Sequence, residues 1–543
     1  MAHNSSKFDQ ILFNRTFANK SFQEQKVIDV KSITLIPKSF EIYLTESVRF
    51  HCEECDRKDA NDSEKKRFLN GCVHYPSLKT IDSINHLQSS LSTLTNELMQ
   101  SCSSVDELKS TFFSLDSWVR SRWRGKTESE YEDLLTRLTQ KLPFPYSYIK
   151  SANVLEERSL PTLDKWQETY LDTGLSTQTD VDYANEIFSL FDCETISDFY
   201  DVYLTTDIEL LTCVTEAWRK LGREKFQLDP INFVSLPSYG FSVWLYNSGA
   251  KIDLLQNYED ILFFEQSKRG GWSGSCGLRF SQANHPGIPF FYDPEQPNLT
   301  LIDADIVGLY SHCMEFAFPA KNFKRMSDET LESLFHYFQA TKGVDLKTDS
   351  AYGFHLQCDL AIDPEYENLL EIFPPLVENK SVTDDSFSPM MKRLKQEYQI
   401  KNEGHRLIAD FKVKKDYVIS GFALKNYMRC GVKLLSIKAG ICYEQQQFLK
   451  QQMTMNQELR KMYQRSNMTA NANSIKRFSN SLYGKMLEDP KKRQRVAFVT
   501  DKKRYHRLVK KESFDARKII DENCVLVKNK QTKVRFEKPL FIG

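Results

Sequence analysis

The run Lys476-Arg-Phe-Ser-Asn480-Ser481-Leu-Tyr483-Gly484-Lys485 decides the reading of this sequence. Lys476, Asn480 and Tyr483 are spaced four and then three apart, which places them on one face of a helix. A helix face carrying a cation, an amide and an aromatic ring can hold a triphosphate and a base together. Gly484 lets a neighbour approach closely or lets the helix end. The spacing alone fits an ordinary amphipathic helix end equally well.

Outward from this run, the stretch from Glu444 to Lys485 is rich in Gln, Met, Leu, Lys and Arg and has no proline, which predicts helix. A second helix is predicted from Thr195 to Leu221, where Phe199, Tyr203, Leu204, Ile208, Leu211, Val214 and Trp218 recur at helical spacing. Gly222 follows the last apolar position and suits a C-cap. A further helix is expected around Ser90 to Met99, and a strand at Ser32-Ile-Thr-Leu-Ile-Pro37. The Gly/Ser-rich loop Gly270 to Gly277 precedes a strand-like run, Leu299-Thr-Leu-Ile302, that enters Asp303-Ala-Asp305. Tyr352 to Lys438 reads as short strands and loops. The expected fold class is α+β in several domains, without internal repeats.

The chain has 543 residues, a length of three or four domains. Apolar residues make up 41% and aromatics 12%, enough for large cores. Lys plus Arg (73) equal Asp plus Glu (73), so net charge by itself points to no nucleic-acid or membrane partner. The balance is uneven along the chain: Gln451 to Gly543 holds 23 basic against 9 acidic residues. That excess permits an anionic partner there. No run reaches the length of apolar residues that a membrane span needs. The 12 cysteines are mostly scattered, which reads as reduced intracellular thiols.

Lys-x-x-x-Asn-Ser-Leu-Tyr-Gly resembles motif B of the family B DNA polymerases, and Asn-Ser-Leu-Tyr-Gly-Lys is similar to the form found in their protein-primed branch, that of bacteriophages, adenoviruses, linear plasmids and Maverick/Polinton elements. The resemblance implies that Lys476 contacts the phosphates of the incoming nucleotide. It places Tyr483 and Gly484, with Asn480, near the nascent base pair. Arg460 and Arg465 on the preceding helical stretch would help neutralise the triphosphate.

Asp305-Ile306-Val-Gly308-Leu309-Tyr310 resembles motif A, Asp-x-x-Ser-Leu-Tyr-Pro, with Gly308 for serine and Ser311 for proline. Carboxylates at strand ends can hold two Mg²⁺ ions that clamp the attacking and leaving oxygens of phosphoryl transfer. By resemblance Asp305 is one such Mg²⁺ ligand, with Ile306 as the backbone ligand, and Ile306 and Leu309 border the nucleotide. Tyr310 would be the ring that excludes a ribose 2′-hydroxyl. Asp303 lies two residues too early for the motif. Lys268-Arg269-Gly270-Gly271 is similar to the Tyr-x-Gly-Gly linker of these enzymes, with Arg269, Gly270 and Gly271 expected to touch the template backbone.

The amino-terminal half resembles a 3′–5′ exonuclease of the RNase H type. His3-Asn4-Ser-Ser-Lys-Phe8-Asp9 is similar to its second motif, with Asp9 as metal ligand and Asn4 and Phe8 at the single-stranded 3′ end. Tyr203-x-x-x-Asp207 is similar to the third, in which the phenol orients a water on the metal that the carboxylate holds, although this spacing is common. Ser90-Leu91-Ser92-Thr93-Leu94 resembles a motif for contact with single-stranded DNA and a terminal protein. Lys141-Leu-Pro-Phe-Pro145 resembles one whose lysine supports the exonuclease site.

The expected division is an exonuclease-like domain over 1–225, an amino-terminal palm over 226–320, and an insertion over 321–440. Fingers follow over 441–490, then a second insertion and the start of the remaining palm over 491–543. Neither motif C, Tyr-x-Asp-Thr-Asp-Ser, after Gly484 nor the first exonuclease motif, Asp-x-Glu, before Asn4 is found. Lys347-Thr-Asp349-Ser350 only looks like motif C and reads as a loop. The expectation is a monomeric piece of a polymerase, acting on primer-template DNA and dNTPs, possessing half of each metal site and little activity. A terminal-protein primer and nuclear residence are implied by the branch alone. The alternatives are a catalytically dead DNA-binding remnant and, with less support, a stand-alone nuclease. Outside the family pattern, Cys52, Cys55, Cys72 and His74 offer four ligands suited to tetrahedral Zn²⁺ in a knuckle over 51–74; unrelated cysteines in an insertion fit as well.

Overall fold

A computed structural model describes residues 30–37, 43–50, 77–122, 127–166, 176–272, 282–288, 290, 292–303, 305–370, 374–382, 384, 387–400, 405–522, 524–536 and 538–539, with side chains from residue 80 onward. Contacts gather the chain into two compact units, both mixed α and β. One takes Met1–Asn247, Met455–Lys485 and Asp489–Val534; the other takes Ser248–Thr454, Met486–Glu488 and Arg535–Gly543.

The first unit is built around the helix Ile196–Phe226. Thr195 starts it: the Asp198 carboxylate accepts from the Thr195 N–H at 2.9 Å, and the Thr195 hydroxyl accepts from the Asp198 N–H at 3.3 Å. This reciprocal cap satisfies donors that a helix start leaves unpaired. Phe199, Tyr203, Leu210, Val214, Trp218 and Leu221 are buried, whereas Leu204 and Ile208 of the same periodic pattern are exposed. Adjacent positions 203 and 204 lie about 100° apart on the helix, so the core took the tyrosine.

The helix does not stop at Gly222. It runs four residues further and ends at Gln227, which adopts a left-handed φ of 60°. Gly222 sits inside the helix, where a Cβ would lie 2.6 Å from the Pro230 ring and 2.7 Å from the Tyr239 hydroxyl. The glycine serves close packing instead of a cap. The helix expected near Ser90 is Leu91–Gln100, with the Ser90 hydroxyl accepting from the Thr93 N–H at 3.1 Å as an N-cap.

The helix Thr469–Met486 seats itself against this framework. Phe478 stacks on Phe226 with ring centroids 4.6 Å apart and meets Tyr239 edge-on at 5.6 Å. Alongside, Arg477 pairs with Glu97 at 3.2 Å, and the Asn473 amide donates to the same carboxylate at 2.7 Å. Two small antiparallel sheets complete the unit. One pairs Val30–Pro37 with Tyr43–Phe50 and that strand with Ser77–Ile81. The other places Cys524–Asn529 between Arg495–Val499 and Phe514–Asp521.

The second unit centres on an antiparallel sheet in the spatial order Phe318–Arg325, Val432–Gln446, Tyr352–Ile362, Lys414–Ser420. Leu356, Leu360 and Leu434 from the strands meet Phe338 and Leu424 from the helices Asp328–Thr341 and Gly421–Arg429 in one core. The region read as short strands therefore holds strands of 11 and 15 residues. The second reaches Gln446, so helix begins only at Lys450. The strand expected at 299–302 reduces to one bridge, Leu299 with Asn284, held by two 2.9 Å backbone hydrogen bonds. Among the described residues no helix is long and apolar enough to cross a membrane, and the described cysteines are free thiols.

Candidate functional sites

The residues that carry the motif B resemblance occupy one continuous helix. Ile475, Phe478 and Leu482 are buried on its inner side. Lys476, Asn480 and Gly484 are exposed and Tyr483 is partly so. The sequence order of core and motif positions thus sorts them onto opposite faces, and the motif face is left open. A Cβ at Gly484 would meet nothing within 4 Å, so this glycine keeps the face flat without being demanded by the local packing. The helix extends two residues beyond it. The preceding helix, Lys450–Arg465, is tied to this one by the Asn456 amide, which donates to the buried Ser479 hydroxyl at 3.0 Å. On it Arg465 is exposed in the last turn, while the Nε of Arg460 is buried without a hydrogen-bond partner.

The motif A segment has a different character. Asp305 lies in an irregular stretch and is exposed, not at the end of a strand as expected. Ile306 is 67% exposed and Tyr310 50% exposed, with Leu309 also open. Gly308 has φ 72° and precedes the short helix Leu309–Cys313. Its left-handed backbone gives a physical reason for glycine where the family carries serine. Lys347 and Ser350 close a small loop through the Ser350 hydroxyl, which donates to the Lys347 carbonyl at 3.1 Å.

The linker residue Arg269 turns inward. Its guanidinium donates to the Val418 carbonyl at 2.8 Å and lies 3.7 Å from the centroid of the Tyr417 ring. Burial holds its pKa below the usual guanidinium range. Arg269 is thus half-buried and engaged with its own unit, whereas Gly270 and Gly271 are exposed and a Cβ at either would meet nothing within 4 Å. Leu91 is a core side chain at 6% exposure, and Ser90 is exposed with its hydroxyl engaged as the helix cap.

The exonuclease-like residues do converge. Lys141, far from Asp207 in sequence, places its Nζ 3.5 Å from the Asp207 Oδ2. Tyr203 donates its hydroxyl to the same oxygen at 2.9 Å, one helical turn away. Burial, reinforced by the Asp207 charge, pushes the Tyr203 phenol far above its usual pKa, so it stays a proton donor to the carboxylate. Two further residues belong to the cluster. The Tyr146 and Tyr203 hydroxyls are hydrogen-bonded, and the Phe144 ring stacks on Tyr203 at 4.9 Å. Their signal was the proline-flanked aromatic run that directly follows Lys141. Asn4, Phe8, Asp9, Cys52, Cys55, Cys72 and His74 lie outside the described residues.

Among the described residues no group of three or more His, Cys, Asp or Glu side chains gathers to hold a metal ion. Asp305 and Asp207 each present a single carboxylate. The described side chains do not by themselves fit a two-Mg²⁺ centre.

No protein-family model matches this sequence, and no curated protein does. Solved structures similar to it are of phi29 DNA polymerase. The orthorhombic crystal form aligns with a TM-score of 0.46 at 10% identity, over 99% of this chain and 65% of that one. The ternary complex with primer-template DNA and incoming nucleotide aligns with a TM-score of 0.46 at 10% identity, over 92% and 61%. The chain thus spans less than two thirds of the length of these polymerase chains.

Proposed function

We propose that this chain is part of a DNA-directed DNA polymerase of family B, of the protein-primed type, with an associated 3′–5′ exonuclease. The observation that carries the reading is the helix Thr469–Met486, which buries the positions between the motif residues and opens Lys476, Asn480, Tyr483 and Gly484 to a ligand. In such an enzyme a 3′-hydroxyl, or a hydroxyl of a terminal protein, attacks the α-phosphate of a dNTP and pyrophosphate leaves. Lys476 would neutralise the triphosphate, and the flat end at Tyr483 and Gly484 would lie under the new base pair. Tyr310 would border the sugar. Mg²⁺ would supply charge neutralisation at the reacting phosphate. Asp305 is the one ligand proposed from this chain's polymerase half, and further carboxylates would be needed beside it.

For the nuclease, Asp207 would hold the metal, with Tyr203 and Lys141 fixing the carboxylate by the contacts described above. A DNA-binding protein without catalysis is the second reading, favoured by the absence, among the described residues, of any group of three or more His, Cys, Asp or Glu side chains placed to hold a metal ion.

Titration of a fluorescent dNTP into the natural polypeptide bound to primer-template tests the first reading. Lys476→Ala removes one charge-assisted contact, about 1.5–3 kcal/mol, or roughly 10- to 100-fold in dNTP affinity. Unchanged affinity would remove Lys476 from the nucleotide site. Primer extension with and without Asp305→Ala then separates a polymerase from a non-catalytic binder.

A further inference from the structure

The helix Thr469–Met486 is held by forces of two kinds. Ala472, Ile475 and Phe478 are buried in the core that the long helix Ile196–Phe226 also enters. Such burial is strong but non-directional. It fixes how deep the helix lies and leaves its fine rotation to contacts with sharper geometry. With side chains included a helix has a radius of about 6 Å, so a turn of about 10° carries an outer atom roughly 1 Å.

The directional contacts come from the helix Leu91–Gln100 and its flanks, in antiparallel order. The Ala470 N–H donates to the Ser101 hydroxyl at 3.4 Å. The Asn473 amide and the Arg477 guanidinium, about 40° apart round the axis, converge on the Glu97 Oε1 at 2.7 and 3.2 Å. Arg477 also reaches the Glu97 Oε2 at 3.5 Å and the Ser89 hydroxyl at 3.4 Å. The Glu97 and Arg477 side chains are only 14% and 19% exposed, so water screens the pair far less than it screens a surface ion pair. Nη1 of Arg477 is buried without a hydrogen-bond partner, and among the described residues Glu97 is the carboxylate that pairs with this guanidinium. Glu97 belongs to none of the motifs read in the sequence.

We infer that Glu97 is a positioning residue for the nucleotide site: through Asn473 and Arg477 it sets the rotation of Thr469–Met486 and so aims Lys476 and Asn480. These two lie within about 100° of Arg477 round the helix, on the side away from Phe478 and Ile475, so any turn that slackens the clamp carries them along. Glu97 does not itself touch the nucleotide. The inference rests on the polymerase reading for the identity of the ligand, and it adds to that site a residue from the amino-terminal part of the chain.

The test is a double-mutant cycle on the natural polypeptide bound to primer-template, read as affinity for a fluorescent dNTP. Glu97→Gln keeps the size of the side chain and removes its charge. It should weaken dNTP binding about 10-fold and leave the affinity for primer-template unchanged. In the Lys476→Ala background the same substitution should cost less than about threefold, because residues that act through one another are not additive. A residue that merely stabilised the fold would give equal losses in both backgrounds. Asn473→Ala strands no charge and should show the same pattern at about threefold, which keeps the test open if circular dichroism finds Glu97→Gln unfolded. Unchanged dNTP affinity, or equal losses with and without Lys476, overturns the inference and leaves the polymerase reading standing. A parent that binds no dNTP overturns that reading itself, and the inference with it.

Discussion

Replacing Gly222 by alanine puts the packing of the first unit to a sharp test. In a solvent-exposed helix interior this change would stabilise by about 1 kcal/mol, because alanine is the better helix former. Here the added methyl would stand 2.6 Å from Pro230 Cγ and Cδ and 2.7 Å from the Tyr239 hydroxyl. Tyr239 is fully buried, donates to the Leu228 carbonyl at 3.0 Å and packs edge-on against Trp218 at 5.7 Å. Overpacking of this kind costs about 1–3 kcal/mol. Displacing the hydroxyl from its partner adds about 1–3 kcal/mol. Set against the propensity gain, the net is a loss of roughly 1–5 kcal/mol. Urea unfolding followed by near-ultraviolet circular dichroism should show an earlier midpoint, with an altered Trp218 signal before the main transition. A variant as stable as the parent, or more so, would refute the close approach and return Gly222 to the cap role that sequence spacing suggested.

Other consequences are as direct. Lys414 has a fully buried side chain paired with Glu378 at 2.9 Å and with Asp410, so Lys414→Met leaves both carboxylates to Lys380 alone and should cost about 1.5–3 kcal/mol by denaturant titration. The His355 Nδ1 is hydrogen-bonded to the Tyr443 hydroxyl at 2.8 Å, and burial, aided by the Arg269 charge, pushes its pKa down to about 4 from the ordinary 6.5. The unfolded chain then binds the proton first as pH falls, so stability from this site is complete above pH 6.5 and is lost as pH falls through 4, on the order of 3 kcal/mol in all. His355→Gln should flatten the stability profile between those pH values, and an unaltered profile would show that His355 titrates normally. Asp207→Asn removes the charge that Lys141 and Tyr203 attend, and should abolish Mg²⁺-dependent release of 3′ nucleotides from single strands by the natural polypeptide while leaving duplex binding intact; retained cleavage would exclude Asp207 from the nuclease.

Legibility in the sequence followed the range of the forces involved. The helix Thr469–Met486 and the strand Val30–Pro37 were readable because propensity and periodicity act over a few residues, and Ser90 was readable as the cap of its helix for the same reason. Gly222 was misread because the group that demands a glycine, Pro230 with Tyr239, returns from beyond the end of the helix. The contacts of Arg269 with the Val418 carbonyl and the Tyr417 ring were not legible, because nothing local announces partners almost 150 residues later. The strand into Asp305 failed because an apolar run becomes a strand only with a partner, and Leu299 finds a single one. Of the candidate sites, the face of Lys476, Asn480 and Tyr483 was present in the spacing itself. The meeting of Lys141 with Asp207 was implied by resemblance alone, since no periodicity links residues on different elements.

The seating of Phe478 on Phe226 also sets a timetable for synthesis. The first unit cannot close until the helix Thr469–Met486 leaves the ribosome, some 240 residues after Asn247, and the entire Ser248–Thr454 segment is made in between. At about 5–20 residues per second, that interval lasts roughly 10–50 s. Throughout it the rings of Phe226 and Tyr239 lack their cover, while the intervening segment already holds all the strands of its own sheet. The inserted unit is therefore free to fold first, and the outer one must wait for its helix with an apolar seat exposed, the stage at which a chaperone would be of greatest use.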